Sequence, residues 1–479
     1  MRRGLTALVA LLALTVVPAA AAGGPTIAVG ATEEVLRQAD PVRAKAQMEL
    51  ARLAGFDSVR VTEFWAPGQT RPTDENLAEL RNVVASARLV GIRPYVSITN
   101  FGSRTTPLTA QERGQFAQFA AATARALPTV RDFVIGNEPN LNRFWMPQFN
   151  PDGSNAAAPA YVALLAETYD ALKAVSPTVN VIGGAISPRG GDRPGTGRDT
   201  HSPTKFIPDM GAAYRASGRT RPLMDMFGFH PYTDNSSQPP TTEHPNTTTV
   251  AIADYGKLVG LLGRAFDGTP QPGSTLPILY DEFGIESQIP AAKAGLYSGN
   301  EPATTRPVDE RTQGEFYRQA LALAFCQPNV RGILMFHVVD EPGLPQWQSG
   351  VFYADGSPKT SLPAMRAAVG LVRRGIIARC PGMRLTVVGR LGGQRHTPTG
   401  RSVLLTCDID CNYQARIQRL PAATTVRTVS GRAGGRRTVR VQFPPTLAPG
   451  TYRFSVRLVA PVNPGPTTTV VSGTFRVRA

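Results

Sequence analysis

The sequence predicts a (β/α)₈ barrel followed by a small all-β, immunoglobulin-like sandwich. Three observations carry that reading. From about Pro25 to Gly375, short apolar runs alternate with long amphipathic ones. Beyond Cys380 the texture changes to apolar/polar alternation broken by turn residues. At the start, Met1-Arg2-Arg3 precedes an apolar run from Leu5 to Val17 and the small residues Ala20-Ala21-Ala22. That run has the length and flanks of a secretory signal peptide rather than of a membrane span. The expected divisions are a signal peptide over 1–22, the barrel over 23–380 and a basic sandwich over 384–479. A secreted, extracellular protein follows, within reach of the cell wall.

The elements read in order. Strands are expected at Thr26–Gly30, Ser58–Thr62, Pro94–Ile98, Asp132–Gly136, Asn180–Gly184, Met226–Phe229, Pro277–Tyr280 and Gly332–Phe336. Helices are expected between and after them at Pro41–Ala54, Glu75–Val90, Ala110–Leu127, Tyr161–Val175, Phe206–Ala216, Ala251–Ala265, Gln313–Phe325 and Ser361–Arg373. Short apolar strands, each followed by a helix, describe a parallel sheet covered on both faces. About eight such units in roughly 350 residues fit a barrel. A doubly wound sheet would carry a Gly-rich phosphate turn after its first strand, and Val29-Gly-Ala-Thr-Glu-Glu is not one. Long irregular stretches at Ser187–Ser202, Thr233–Thr249 and Glu286–Asp309 follow strands, so in a barrel they wall a cleft on the catalytic face. In the tail, Leu385–Gly389, Ser402–Thr406, Thr438–Phe443, Tyr452–Leu458 and the Thr/Val run from Thr468 read as antiparallel strands.

Charge divides the chain. The net charge is +16, yet Arg384–Ala479 holds fifteen arginines against two aspartates, no lysine and no glutamate. The barrel is therefore nearly neutral, and the tail suits an anionic cell-surface polymer such as acidic polysaccharide or phosphate-bearing wall polymer. With few aromatic residues for base stacking, it does not suit nucleic acid. The four cysteines, in an exported chain, imply disulfides. The favoured pairing is Cys326–Cys380, stapling two neighbouring helices, and Cys407–Cys411, closing a short loop. The C-x₃-C spacing has no histidine pair near it, which speaks against zinc.

Two acidic motifs carry the chemistry. Ile135-Gly-Asn-Glu-Pro-Asn140 ends the fourth strand, and Leu279-Tyr-Asp-Glu-Phe-Gly284 ends the seventh. Side chains at the C-terminal ends of barrel strands face one shared cleft. Glu138 and Glu282 would meet there, as cleavage of a glycosidic bond by a carboxyl pair requires.

On these residues the chain resembles the glycoside hydrolases of clan A, nearest to the family-39 and family-5 type, over roughly Pro25 to Gly375. The resemblance implies a retaining O-glycosyl hydrolase that needs no cofactor or metal. It implies Glu138 as acid/base, Glu282 as nucleophile and Asn137 as partner of the sugar 2-hydroxyl. Tyr232 is implied as a hydrogen-bond donor to Glu282, and Arg60 as a cation that favours its ionised form. His230 would line the subsite or orient Glu138. The clan's tryptophan at the end of strand eight is absent, since that region reads Met335-Phe336-His337; Phe336 or Trp347 takes its place, with Trp65 and Trp145 as further sugar platforms. Asp281, Asp340 and Glu341 receive no role. The competing reading is a non-catalytic, glycan-binding or cell-wall-associated protein on a glycosidase-like barrel.

Overall fold

The computed structural model describes residues 23–397, 400–444 and 447–478. The expected signal peptide lies outside them. Eight parallel strands, β1 (Ala28–Thr32), β2 (Ser58–Trp65), β3 (Arg93–Asn100), β4 (Asp132–Ile135), β5 (Asn180–Ile186), β6 (Met226–Phe229), β7 (Ile278–Phe283) and β8 (Val330–Phe336), close into a barrel. The closure is the β1–β8 pairing, in register from Ala28↔Gly332 to Thr32↔Phe336. Helices α1 (Pro41–Leu53), α2 (Asp74–Val90), α3 (Ala110–Ala126), α4 (Ala157–Val175), α5 (Pro203–Ala216), α6 (Tyr255–Phe266), α7 (Glu310–Cys326) and α8 (Leu362–Arg373) surround it. Helix α4 starts one turn before the expected Tyr161, and α6 follows a 3₁₀ turn at Ile252–Asp254.

Local chemistry sets the helix starts. The side chains of Asp40, Thr73, Thr109 and Asp309 each accept a first-turn amide, satisfying donors that the helix itself leaves open. Thr109 and Glu112 do so reciprocally. Inside the barrel, Tyr95, Val134, Ile182, Met226, Leu279 and Leu334 form a packed layer. Removing Leu279 to alanine should cost about 2–5 kcal/mol. Gly30 is required on β1, because a Cβ there would lie 2.0 Å from the Ser58 carbonyl oxygen.

The tail forms two antiparallel sheets. One has the order β13 (Thr438–Phe443), β10 (Gly400–Cys407), β9 (Gly389–Thr397). The other has β12 (Thr424–Ala433), β11 (Cys411–Arg419), β14 (Gly450–Val459), β15 (Thr468–Val477). Val403, Leu405, Ile417, Tyr452, Phe454, Val456 and Leu458 fill the space between them. Two expectations change here. Leu385 is not in a sheet strand; its amide bonds Asn463, and the strand begins at Gly389. Strands β11 and β12 were not expected, because Gln and Arg interrupt their apolar residues.

Both disulfides are present. Cys326 ends α7, but Cys380 lies beyond α8, so this bond ties α7 to the segment leaving the barrel, not to a second helix. Arg374 holds Asp410 through two bonds of 2.9 and 2.7 Å, and Asn463 bonds the Cys380 amide and the Ala378 carbonyl. Helix C-termini lie at the N-terminal ends of the strands. The sandwich therefore meets the barrel on the side away from the strand ends that carry Glu138 and Glu282. Among the described residues no helix is long and apolar enough to cross a membrane.

Candidate active site

The chain after β4 is bent sharply to present Glu138. Gly136 has φ +85° and Glu138 itself φ +40°, a left-handed conformation that disfavours side chains by about 1–3 kcal/mol. The surroundings impose it. The Gly136 amide bonds the Ile98 carbonyl and the Glu138 amide bonds the Ala185 carbonyl, both at 2.8 Å. The Tyr161 hydroxyl donates to the Ile135 carbonyl at 2.6 Å and accepts from the Gly184 amide at 2.7 Å.

Glu282 lies within β7, where the pairing with β8 shifts register between Tyr280 and Phe283. In a regular strand Asp281 and Glu282 would point to opposite faces. The bulge re-aims them, and both meet Arg60. From β2, Arg60 Nη1 lies 3.0 Å from Glu282 Oε1 and 3.2 Å from Asp281 Oδ2. Its Nη2 donates to Asn137 Oδ1 at 3.3 Å. Tyr232 donates to Glu282 Oε2 at 3.1 Å.

His230 joins the two glutamates. Its Nδ1 is 3.0 Å from Glu138 Oε1 and 3.3 Å from Glu282 Oε2. Its Nε2 faces Asp281 Oδ2 at 3.5 Å. Burial opposes a charge on His230, but Glu282 and Asp281, with hydrogen bonds to Asp281 and Glu138, raise its pKa to about 10. Burial likewise opposes a charge on Asp281, yet His230 and Arg60 hold its carboxyl below the usual carboxylate range. Asp281, without a role in the sequence reading, is the buried counter-ion of both cations. Its signal was an acid in an otherwise apolar strand. Tyr232 is pushed well above the ordinary phenol value by burial and by Glu282, so it stays a donor.

Aromatic rings border the glutamates on one side. Tyr232 lies 5.0 Å from Trp347 and 6.4 Å from Phe336, and Phe336 meets Trp347 edge-on at 5.3 Å. Trp65 and Trp145 do not join them. Trp65 is fully buried, packs on Phe116 and donates to the Gln69 carbonyl. Trp145 is 1% exposed and packs on Tyr161. Neither can offer a face to a sugar, because each fills core beneath the loops. Sequence reasoning missed a different pair: Phe64 in β2 and Phe101 just after β3, both exposed and 5.5 Å apart edge-on. They stand at the C-terminal strand ends, past Thr62 and Ile98 where the expected second and third strands stop.

Buried charges fix the surrounding loops. Glu33 accepts from the Val338 and Val339 amides. Lys359 pairs with Asp340 at 2.7 Å, both side chains buried, and reaches Ser287 and the Gln348 carbonyl. Glu341 lies 3.8 Å from His337 Nε2. Burial, reinforced by Glu301, raises the pKa of Glu286 to about 8.

No family model matches the chain, and no curated protein does. Solved structures resemble it. GH5_18 from Streptomyces cattleya, solved in complex with GlcNAc, is 16% identical with a TM-score of 0.52, over 75% of this chain and 83% of that one. A glucosidase from Croceicoccus marinus is 12% identical with a TM-score of 0.50, over 88% of this chain and 94% of that one. The barrel shares the fold of these two structures. The alignment with β-glucuronidase 2 from Bacteroides uniformis, at 13% identity and a TM-score of 0.45, includes 95% of this chain but spans only 46% of that enzyme's length. At these identities the likeness concerns fold.

Proposed function

We propose that the protein is a secreted glycoside hydrolase that cleaves O-glycosidic bonds of a poly- or oligosaccharide with retention. Glu282 is the nucleophile and Glu138 the acid/base. The observation that carries this reading is the imidazole of His230 lying within bonding reach of both carboxyls. Two oxygens at 3.0 and 3.3 Å from one nitrogen are separated by no more than the sum of those distances. A pair bridged by one imidazole nitrogen in this way suits the close carboxyls of a retaining enzyme, about 5–5.5 Å apart, better than the roughly 6.5–9.5 Å of inverting pairs, which must admit a water between them.

The steps follow from the surroundings. Arg60 and Tyr232 hold the two oxygens of Glu282 and favour its anion, which attacks the anomeric carbon. Glu138 gives its proton to the leaving oxygen. Its new carboxylate stays beside the cationic imidazole of His230, which orients it to take a proton from water in the second step. Asn137, positioned by Arg60, faces the sugar 2-hydroxyl, and Phe336 and Trp347 supply its apolar wall. The basic sandwich is a tether to an anionic cell-surface polymer.

A fluorinated-sugar trap followed by peptide mass spectrometry tests the mechanism. Labelling of the peptide containing Glu282 is expected, and labelling elsewhere reassigns the nucleophile. Absence of turnover across a broad panel of chromogenic glycosides, with glycan binding retained, would favour the non-catalytic reading.

A further inference from the structure

The outer face of the four-stranded sheet has an ordered pattern of charge. Its outward residues fall into rows across the strands. The first row pairs Arg432 with Asn412 and Val459; the next joins Ser430, Gln414, Arg457 and Thr469. The third joins Thr428, Arg416, Ser455 and Val471; the fourth Thr425, Gln418, Arg453 and Thr474; the fifth pairs Thr451 with Arg476. Each row holds one arginine. The five guanidinium groups fall on β12, β14, β11, β14 and β15 in turn, a zigzag stripe that runs about 27 Å along the strands at the usual rise per residue.

The strands that carry the stripe hold no acid. From Cys411 to Ala479 there is no aspartate or glutamate, and the nearest, Asp410, is held by Arg374. The partners found on the face are neutral amides. Arg416 bonds Gln414, Arg432 bonds Asn412 at 3.0 Å and Arg453 bonds Gln418 at 3.0 Å. These bonds orient the forks and leave their charge uncompensated. The remaining positions are mostly hydroxyls and amides. Val471 is the one exposed large hydrophobic side chain on these four strands among the described residues.

We infer that this face binds a linear polyuronate, a polysaccharide with a carboxylate on each sugar. The stripe matches a line of negative charge, and the planar guanidinium pairs with carboxylate through two parallel bonds. The interleaved Asn, Gln, Ser and Thr side chains suit sugar hydroxyls, which inorganic polyphosphate lacks. Single-stranded nucleic acid would need stacking aromatics, and an anionic lipid surface would answer the charge alone and not the interleaved amides and hydroxyls. The inference rests on the reading of the sandwich as a tether and is independent of the chemistry at Glu138 and Glu282. The joint at Arg374–Asp410 and Asn463 keeps the stripe on the side away from the cleft.

The test uses the full chain on immobilised polygalacturonate, with dextran, long-chain polyphosphate and phosphatidylserine vesicles as alternatives. Turnover on soluble chromogenic glycosides is measured separately, so loss of the tether and loss of hydrolysis are read apart. Binding to polygalacturonate and not dextran is expected, weakening as salt rises. R416Q/R453Q/R457Q should bind roughly tenfold more weakly. R390Q/R395Q/R440Q removes equal charge from the opposite sheet and should lose less than about threefold. Thermal melts confirm folding of both variants, and R457Q alone replaces the first if it fails to fold. Equal loss in the two variants overturns the inference, as does tighter binding to polyphosphate or vesicles.

Discussion

Arg60 and Arg457 carry the same side chain in opposite settings. Arg60 is buried at the barrel mouth between Asp281 and Glu282. Arg457 stands exposed on a sheet with no carboxylate in its strand or the neighbouring ones. In the barrel, charge is enclosed with its counter-charge, and the interactions fix geometry. On the four-stranded sheet of the sandwich, charge is left open to water, and its strands hold no acid of their own. A cation thus builds a site or advertises a surface according to whether the fold supplies its anion.

Several substitutions would break or sharpen this contrast. The largest effect belongs to the barrel. Glu282→Ala should lower kcat by at least about 10⁴-fold, as loss of a nucleophile does, with the thermal melt near that of the parent. Arg60→Gln comes next, leaving Asp281 and Glu282 without their shared cation. A loss of about 3–5 kcal/mol in denaturant melts is expected; a loss under about 1 kcal/mol would mean that enclosure of the pair does not matter.

His230→Asn should reduce kcat/KM by roughly 10²-fold and alter the alkaline side of the stability profile. The pKa of His230 is raised from 6.5 to about 10. Its stabilising contribution is complete below about pH 6.5 and is lost as the pH rises through about 10. The parent should therefore lose melting temperature across that window, and the variant should lose less. Glu286 has the same sign, with its pKa raised from 4.5 to about 8. Stability should fall between those values, and Glu286→Gln should flatten the fall in melts taken across that range. The smallest effect belongs to the sandwich. Arg457→Gln should change stability by less than about 0.5 kcal/mol, and a larger change would show that the stripe is structural.

The barrel was legible because period-two and period-3.6 patterns alternate over most of the chain. The paired glutamates were legible because their motifs end apolar strands. Other features depend on geometry that spacing does not carry. The turn of Asp281 toward Arg60 needs a bulge in the β7–β8 pairing. Trp65 and Trp145 sit in cleft-facing segments yet are buried, whereas Phe64 sits in a strand and is exposed. Strands β11 and β12 were hidden because their outward residues are Arg, Gln and Thr, which read as loop.

Glu138 is held in a backbone conformation that glycine would adopt without penalty. Glu138→Gly should therefore relax the turn and gain up to about 1 kcal/mol, while removing the carboxyl proposed as proton donor. Directed evolution for heat tolerance alone would then enrich inactive clones at this codon. Any campaign to harden the protein needs turnover as a parallel selection, because here robustness and chemistry compete for one residue.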